Sequence, residues 1–154
     1  MNQLTEPLFD KAQTAQRIKA IVDEYAGDLE KCLIVRNGRN VPLSALPLKE
    51  FFDFVREIPY RRDKKPIEIV SRPYYIVKHL SLGYDCKKKA VLMASYCKLN
   101  SIPFRFIGSS QRKDGKIHHI FVQGLFNGQW LNLDATYPDY KLFESKEITN
   151  AEVL

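Results

Sequence analysis

Apolar side chains at Leu8, Ala12, Ala15, Ile18, Val22 and Tyr25 recur every three or four residues, which places them on one face of a helix from Glu6 to about Tyr25. Gly27 ends it. The run Cys32-Leu33-Ile34-Val35 is too short to assign, and Asn37-Gly38 with Pro42 and Pro47 marks a turn-rich connection. A second helix is predicted from Leu48 to Ile58, buried through Phe51, Phe52, Phe54 and Val55 and stopped by Pro59. Pro66 and Pro73 interrupt the next stretch, which has room for a short helix from Tyr74 to Leu80. With Asp85 as its N-cap, a helix to about Leu99 sets Cys86, Ala90, Met93, Ala94 and Cys97 on one stripe. Asn100 and Pro103 follow it as stop signals.

Beyond that helix the period changes from helical to alternating. Strands are predicted over Phe104 to Ile107, Ile117 to Phe126 and Gln129 to Ala135, the last two joined by the hairpin dipeptide Asn127-Gly128. Helices first, then a cysteine-bearing helix, then an antiparallel sheet make an α+β arrangement. No internal repeat, low-complexity tract or composition shift divides the chain. The expectation is a single domain over residues 1–154, with a helical N-terminal part over 1–58 and the chemistry-bearing motifs in 60–137.

Composition supports this picture. Hydrophobic residues at 45% and aromatics at 12% are enough to bury a core at this length, so disorder is not expected. The first residues carry neither a basic start nor an apolar stretch of signal-peptide length, and no segment approaches about 18 apolar residues, so a cytoplasmic protein without a membrane span is expected. Three cysteines, Cys32, Cys86 and Cys97, have no CxxC spacing and no neighbouring histidine cluster, which fits reduced thiols and not a zinc site. The net charge of +6 is spread over Arg61-Arg62-Asp63-Lys64-Lys65, Lys87-Lys88-Lys89 and Arg112-Lys113-Asp114-Gly115-Lys116, which reads as solvated surface or, alternatively, as a match for an anionic partner or substrate. Scattered basic residues without an ordered aromatic platform disfavour nucleic acid as a partner.

Cysteine, histidine and carboxylate together are the parts of a thiol nucleophile, its base and its orienter. If Asn127-Gly128 forms a two-residue turn, Phe126 faces Gln129, Leu125 faces Trp130, Gln123 faces Asn132 and Phe121 faces Asp134. His119 then lies opposite Thr136 and diagonal to Asp134 on the same face, at a Cβ separation of roughly 7 Å or less. That face also carries Phe121, Gln123, Trp130 and Asn132, a mixed polar and aromatic lining. His118 takes the other face beside Ile120, Val122, Leu131, Leu133 and Ala135, which reads as core packing, so His119 is the candidate base. Among the cysteines, Cys86 stands at a helix N-terminus, where free N–H groups and the dipole favour a thiolate. Cys97 on the apolar stripe and Cys32 in its Leu-Ile-Val run read as buried structure. Positive charge at Lys87 to Lys89 opposes the dipole of the same turn, and these lysines read as surface or, alternatively, as a means of tuning the thiolate or attracting an acidic substrate.

At these residues the chain resembles the transglutaminase-like superfamily of papain-fold cysteine enzymes. The resemblance runs from about Tyr60 to Tyr137: Tyr60-Arg61-Arg62-Asp63, Ser71-Arg72-Pro73, and Tyr84-Asp85-Cys86-Lys87-Lys88-Lys89-Ala90, which is similar to the family's Gly-Asp-Cys segment opening a helix. Leu99-Asn100-Ser101-Ile102-Pro103-Phe104-Arg105 is similar to its Leu-Gly-Ile-Pro-Ala-Arg turn into a strand. His119-Ile120-Phe121-Val122-Gln123 is similar to His-Ala-Trp-Val-Glu, and Trp130-Leu131-Asn132-Leu133-Asp134-Ala135-Thr136 to Trp-Val-x-Leu-Asp-Pro-Thr. The resemblance implies a papain-like α+β fold, with Cys86 as nucleophile, His119 as general base and acid, and Asp134 as the group orienting the imidazole. It also implies an oxyanion hole using the Cys86 backbone N–H and an upstream side chain that the sequence does not identify. Tyr84 stands where the family has glycine, Lys88 replaces a frequent acidic residue and Ala135 replaces proline. Tyr84 and Trp130 are the substrate-binding candidates.

The reaction expected is acyl transfer on amide bonds of a peptide or protein substrate. Transfer to water makes the protein a cysteine peptidase or amidase, and transfer to an amine makes it a transglutaminase-type enzyme. No metal or organic cofactor is needed. The rival reading is a non-catalytic binding or structural part of a larger assembly such as a virus particle, with the helix reaching Tyr25 docking a protein partner.

Overall fold

In the computed structural model, which describes residues 3–6, 11–63, 68–110, 119–144 and 150–154, the apolar pattern converges on one helix. This is α5, counting after α1 (Lys11–Tyr25), α2 (Asp28–Lys31), α3 (Leu48–Glu57) and α4 (Pro73–Lys78), and it spans Cys86–Leu99. Every side chain from Lys88 to Cys97 is buried. The predicted single stripe is therefore too narrow: Val91, Leu92, Ser95 and Tyr96 are as enclosed as Met93 and Cys97. The reason is position, since α1, α3 and α4 pack on α5 from one side and the main sheet covers the other. A helix enclosed all round needs no amphipathic pattern.

The strands are β1 (Gln3–Glu6), β2 (Leu33–Arg36), β3 (Arg39–Pro42), β4 (Glu68–Ser71), β5 (Phe104–Ser110), β6 (His119–Phe126), β7 (Gln129–Leu133) and β8 (Asn150–Val153). Four of them form an antiparallel sheet in the order β7-β6-β5-β8, and β1–β4 and β2–β3 make two antiparallel pairs. The expected α+β architecture of helices on an antiparallel sheet is thus present. The face of the sheet toward α5 contributes Phe106, Ile120, Val122 and Leu133 to the core, where they join Phe51, Phe52, Ile18 and Val22. Fully burying each of the three phenylalanines is worth about 1.5–3 kcal/mol. Among the described residues no helix is long and apolar enough to cross a membrane.

Several elements differ from the sequence expectation. The first helix begins at Lys11, and Gln3–Glu6 is a strand paired with Glu68–Ser71. A partner more than 60 residues away leaves no trace in local periodicity. The N-terminal part is likewise not purely helical, because the unassigned Leu33–Val35 run and the turn-rich stretch after it form the β2–β3 hairpin. Its turn, Asn37-Gly38, has both residues at positive φ (52° and 74°), as does Asn127-Gly128 (49° and 78°) between β6 and β7. Both dipeptides meet the demand of a tight hairpin, that two successive residues adopt left-handed conformations.

Candidate active site

Cys86 is the first residue of α5 and directly follows the N-cap Asp85, whose Oδ1 accepts from the Lys88 N–H at 3.4 Å. The approach to it is narrow. Gly83 has φ 73°, and a Cβ there would stand 3.0 Å from the Pro59 carbonyl oxygen and 3.1 Å from the Arg61 Cβ, so both conformation and space call for glycine. That close approach lets the Tyr84 N–H donate to Pro59 O (2.8 Å) and the Arg61 N–H donate to Tyr84 O (3.2 Å). Residues 59–61 and 83–84 therefore run side by side, with Tyr60 and Tyr84 in a parallel bridge.

The hairpin brings the second and third groups. The β6–β7 register is the predicted one from Phe126↔Gln129 to Val122↔Leu133, where the ladder ends. Asp134 therefore lies one residue beyond β7, unpaired with Phe121, yet still on the His119 side. His119 Nε2–H donates to Asp134 Oδ2 at 2.7 Å, and the Cys86 side chain lies beside the same ring. With Nε2 committed to the carboxylate, Nδ1 is the nitrogen left for the sulfur. Burial works against a charged imidazole here, but the hydrogen bonds and negative charge of Asp134 and Cys86 outweigh it and push His119 up to about 10. Cys86 keeps 8% of its surface and the His119 side chain 21%.

The other two cysteines stand apart from this cluster. Cys32 and Cys97 are fully enclosed; burial raises Cys32 and pushes Cys97 up to about 12.

Two residues that the sequence did not single out close the arrangement into a ring. Asp134 Oδ1 accepts from Thr136 Oγ1 (2.6 Å) and from the Thr136 N–H (3.2 Å). The Thr136 carbonyl in turn accepts from Lys89 Nζ at 2.8 Å, and Lys89 also donates to Ile58 O at 2.7 Å. Since Lys89 lies three residues after Cys86, the nucleophile's helix holds the loop that holds the carboxylate. Burial lowers Lys89 to about 8, with the Asp134 charge acting in the opposite direction. The available signal was spacing: Lys89 falls four residues before Met93, on an apolar face.

The reading of the lysine run as surface is corrected by these contacts. Lys88 is 3% exposed and Lys89 1%. Lys88 Nζ lies 2.6 Å from Asp63 and 3.3 Å from Asp85, and Lys87 lies 2.5 Å from the other oxygen of Asp85. Two lysines and two aspartates thus neutralise one another at the start of α5 and tie the Arg61–Asp63 segment to it.

Of the other sequence candidates, Tyr84 is a core residue in place of the substrate contact expected of it. Only 3% of it is exposed, its hydroxyl donates to His79 O at 2.9 Å, and burial pushes its phenol up to about 12. Trp130 is not brought to the cluster either. It pairs with Leu125, six residues from His119 along β6, a distance of about 20 Å in a strand, and its ring is covered by the Arg105 guanidinium at 4.2 Å. His118 lies outside the described residues.

The sequence profile of the transglutaminase-like superfamily matches residues 37–135, and the chain belongs to that superfamily. A comparison with curated proteins finds no match. Among solved structures, a candidate cysteine protease from Cytophaga hutchinsonii is 15% identical with a TM-score of 0.43. That alignment covers 95% of this chain and 53% of the other, so the chain spans about half the length of that protein.

Proposed function

We propose that the protein is a thiol-dependent acyl-transfer enzyme acting on amide bonds, with water as the acceptor, and thus a cysteine peptidase or amidase. The observation that carries this reading is the His119–Asp134 hydrogen bond of 2.7 Å with the Cys86 side chain beside the same imidazole, at the start of a buried helix. Membership of the transglutaminase-like superfamily supports thiol chemistry in general. Cys86 as thiolate attacks the amide carbonyl, and His119 gives its proton to the departing amine, so the C–N bond breaks and a thioester remains. The now neutral imidazole takes a proton from water, the resulting hydroxide adds to the thioester, and the C–S bond breaks to release the acid. Asp134 holds the ring in place and stabilises its charged form. As the first helical residue, Cys86 contributes an N–H with no helical carbonyl to receive it, suited to the oxyanion of the tetrahedral intermediate.

The test is a peptide-amide library assayed with and without an added primary amine, alongside iodoacetamide alkylation of wild type, Cys86→Ala, His119→Ala and His118→Ala. Hydrolysis lost in Cys86→Ala and His119→Ala but kept in His118→Ala is expected. Product carrying the added amine would assign the enzyme to transfer. Alkylation of Cys86 at an ordinary thiol rate, unchanged in His119→Ala, would overturn the reading.

A further inference from the structure

The segment tied to the start of α5 carries an arginine whose partners are unusual. Arg36, Arg56 and Arg72 each face a carboxylate, Glu50, Asp53 and Asp28 respectively. Arg62 is exposed, and no carboxylate among the described residues pairs with it. Instead its Nε–H donates to the Tyr60 hydroxyl at 3.3 Å, and Tyr137 lies beside it as well. Those phenols lead back to the candidate site: the Tyr60 and Tyr137 rings are 4.8 Å apart, and Tyr137 is stacked 6.3 Å from the His119 imidazole. The segment is fixed from both ends, by the Arg61 N–H on Tyr84 O and by Asp63 on Lys88.

We propose that Arg62 is a specificity determinant that binds a carboxylate of the substrate, an acidic side chain or a chain terminus, close to the amide being attacked. This rests on the reading of Cys86 and His119 as the reacting pair. A guanidinium held by a neutral hydroxyl keeps its full charge and has no anion among the described residues to displace, and its planar N–H pairs match a carboxylate in two-point contact. An extended peptide advances about 3.3 Å per residue, so a carboxylate on Arg62 belongs to a residue within about three positions of the scissile amide. The Tyr60 and Tyr137 rings, tilted 39° to one another, lie between Arg62 and His119 and offer aromatic surface to the intervening chain.

Two measurements test this. In the first, fluorogenic peptides carrying Glu, Gln or Lys at each of three positions on either side of the amide are compared by kcat/KM. Wild type is expected to prefer Glu over Gln by about threefold to fivefold at one position, as a charge-assisted contact at an exposed guanidinium allows, and Arg62→Gln to lose that preference. Arg62→Lys retains part of it. Arg39→Gln, which removes the same charge from the β2–β3 hairpin, leaves it unchanged. A preference for Glu that persists in Arg62→Gln, or its absence in wild type, overturns the assignment.

The second measurement needs no hydrolysis. The ratio of Cys86 alkylation by iodoacetate to that by iodoacetamide is expected to fall about threefold or more in Arg62→Gln at low ionic strength and to hold in Arg39→Gln. An equal ratio in wild type and Arg62→Gln overturns the role of Arg62. A changed ratio with no peptide cleaved overturns the peptidase reading and supports Arg62 as the anion contact.

Discussion

Replacing Asp134 by asparagine keeps the shape of the side chain and removes its charge, so it separates orientation from charge at His119. The imidazole that Asp134 and Cys86 hold up to about 10 is expected to titrate more than one unit lower in Asp134→Asn, as read from the histidine ring resonances by NMR. Hydrolysis is expected to fall by about 10²-fold or more in kcat with little change in KM, since the loss falls on the charged ring and not on substrate contacts. The cysteines divide just as sharply. Cys97 is fully enclosed and pushed up to about 12 by burial, and Cys32 is 1% exposed, so brief iodoacetamide treatment of the native protein is expected to label Cys86 alone. Peptide mapping by mass spectrometry checks this, with all three labelled after denaturation. Which histidine faces Asp134 was legible in the sequence because a two-residue turn fixes register and register fixes faces. Tyr84 and Trp130 were not, because a shared motif or a shared face says nothing about burial or about distance along a strand.

At the scale of elements, α5 is both the core helix and the carrier of the nucleophile, and its first turn is held by charges. Lys89 Nζ is directed at the Ile58 and Thr136 carbonyls, which join α5 to the end of α3 and to the loop after β7. Lys89→Met keeps the length and removes the donor, leaving buried carbonyls unsatisfied at about 1–3 kcal/mol each. A lowered urea midpoint is expected, together with slower Cys86 alkylation because Thr136 no longer holds Asp134 in place. Asp85→Ala removes an N-cap and leaves Lys87 and Lys88 short of an anion, so it is expected to destabilise by about 2–4 kcal/mol in the same assay. The boundaries of α3 and α5 were legible from Pro59, Asp85 and Asn100, which act within one or two residues. The β1–β4 pair was not, because its two halves meet only through the tertiary fold. Lys88 and Lys89 were misread for a related reason: a charge run is solvated unless a distant Asp63, Ile58 or Thr136 comes to meet it.

For the whole molecule, two buried ion pairs on different elements set opposite limits on stability with pH. Asp28 is 4% exposed and receives Arg72 through two hydrogen bonds, of 2.8 and 2.6 Å, and the Tyr74 N–H at 3.0 Å. Burial alone would raise its pKa, but Arg72 and Tyr74 hold the carboxyl below its ordinary value. A depressed carboxyl contributes stability that is present above its unfolded pKa and lost as pH falls through the folded one. His119 works the other way. Its raised pKa contributes stability that is complete below the unfolded value of 6.5 and is lost as pH climbs through about 10. The α2–α4 tie thus fails in acid and the β6–β7 site fails in alkali, which leaves a stability maximum between them. Urea midpoints measured from pH 3 to 10 are expected to fall on both sides for wild type. In His119→Gln the alkaline fall between 6.5 and 10 should flatten while the acid limb is kept. In Asp28→Asn, where Arg72 loses its partner, the whole curve should drop by about 3–5 kcal/mol and the acid limb should weaken. An alkaline limb of equal slope in wild type and His119→Gln would mean that His119 is not held protonated by its neighbours.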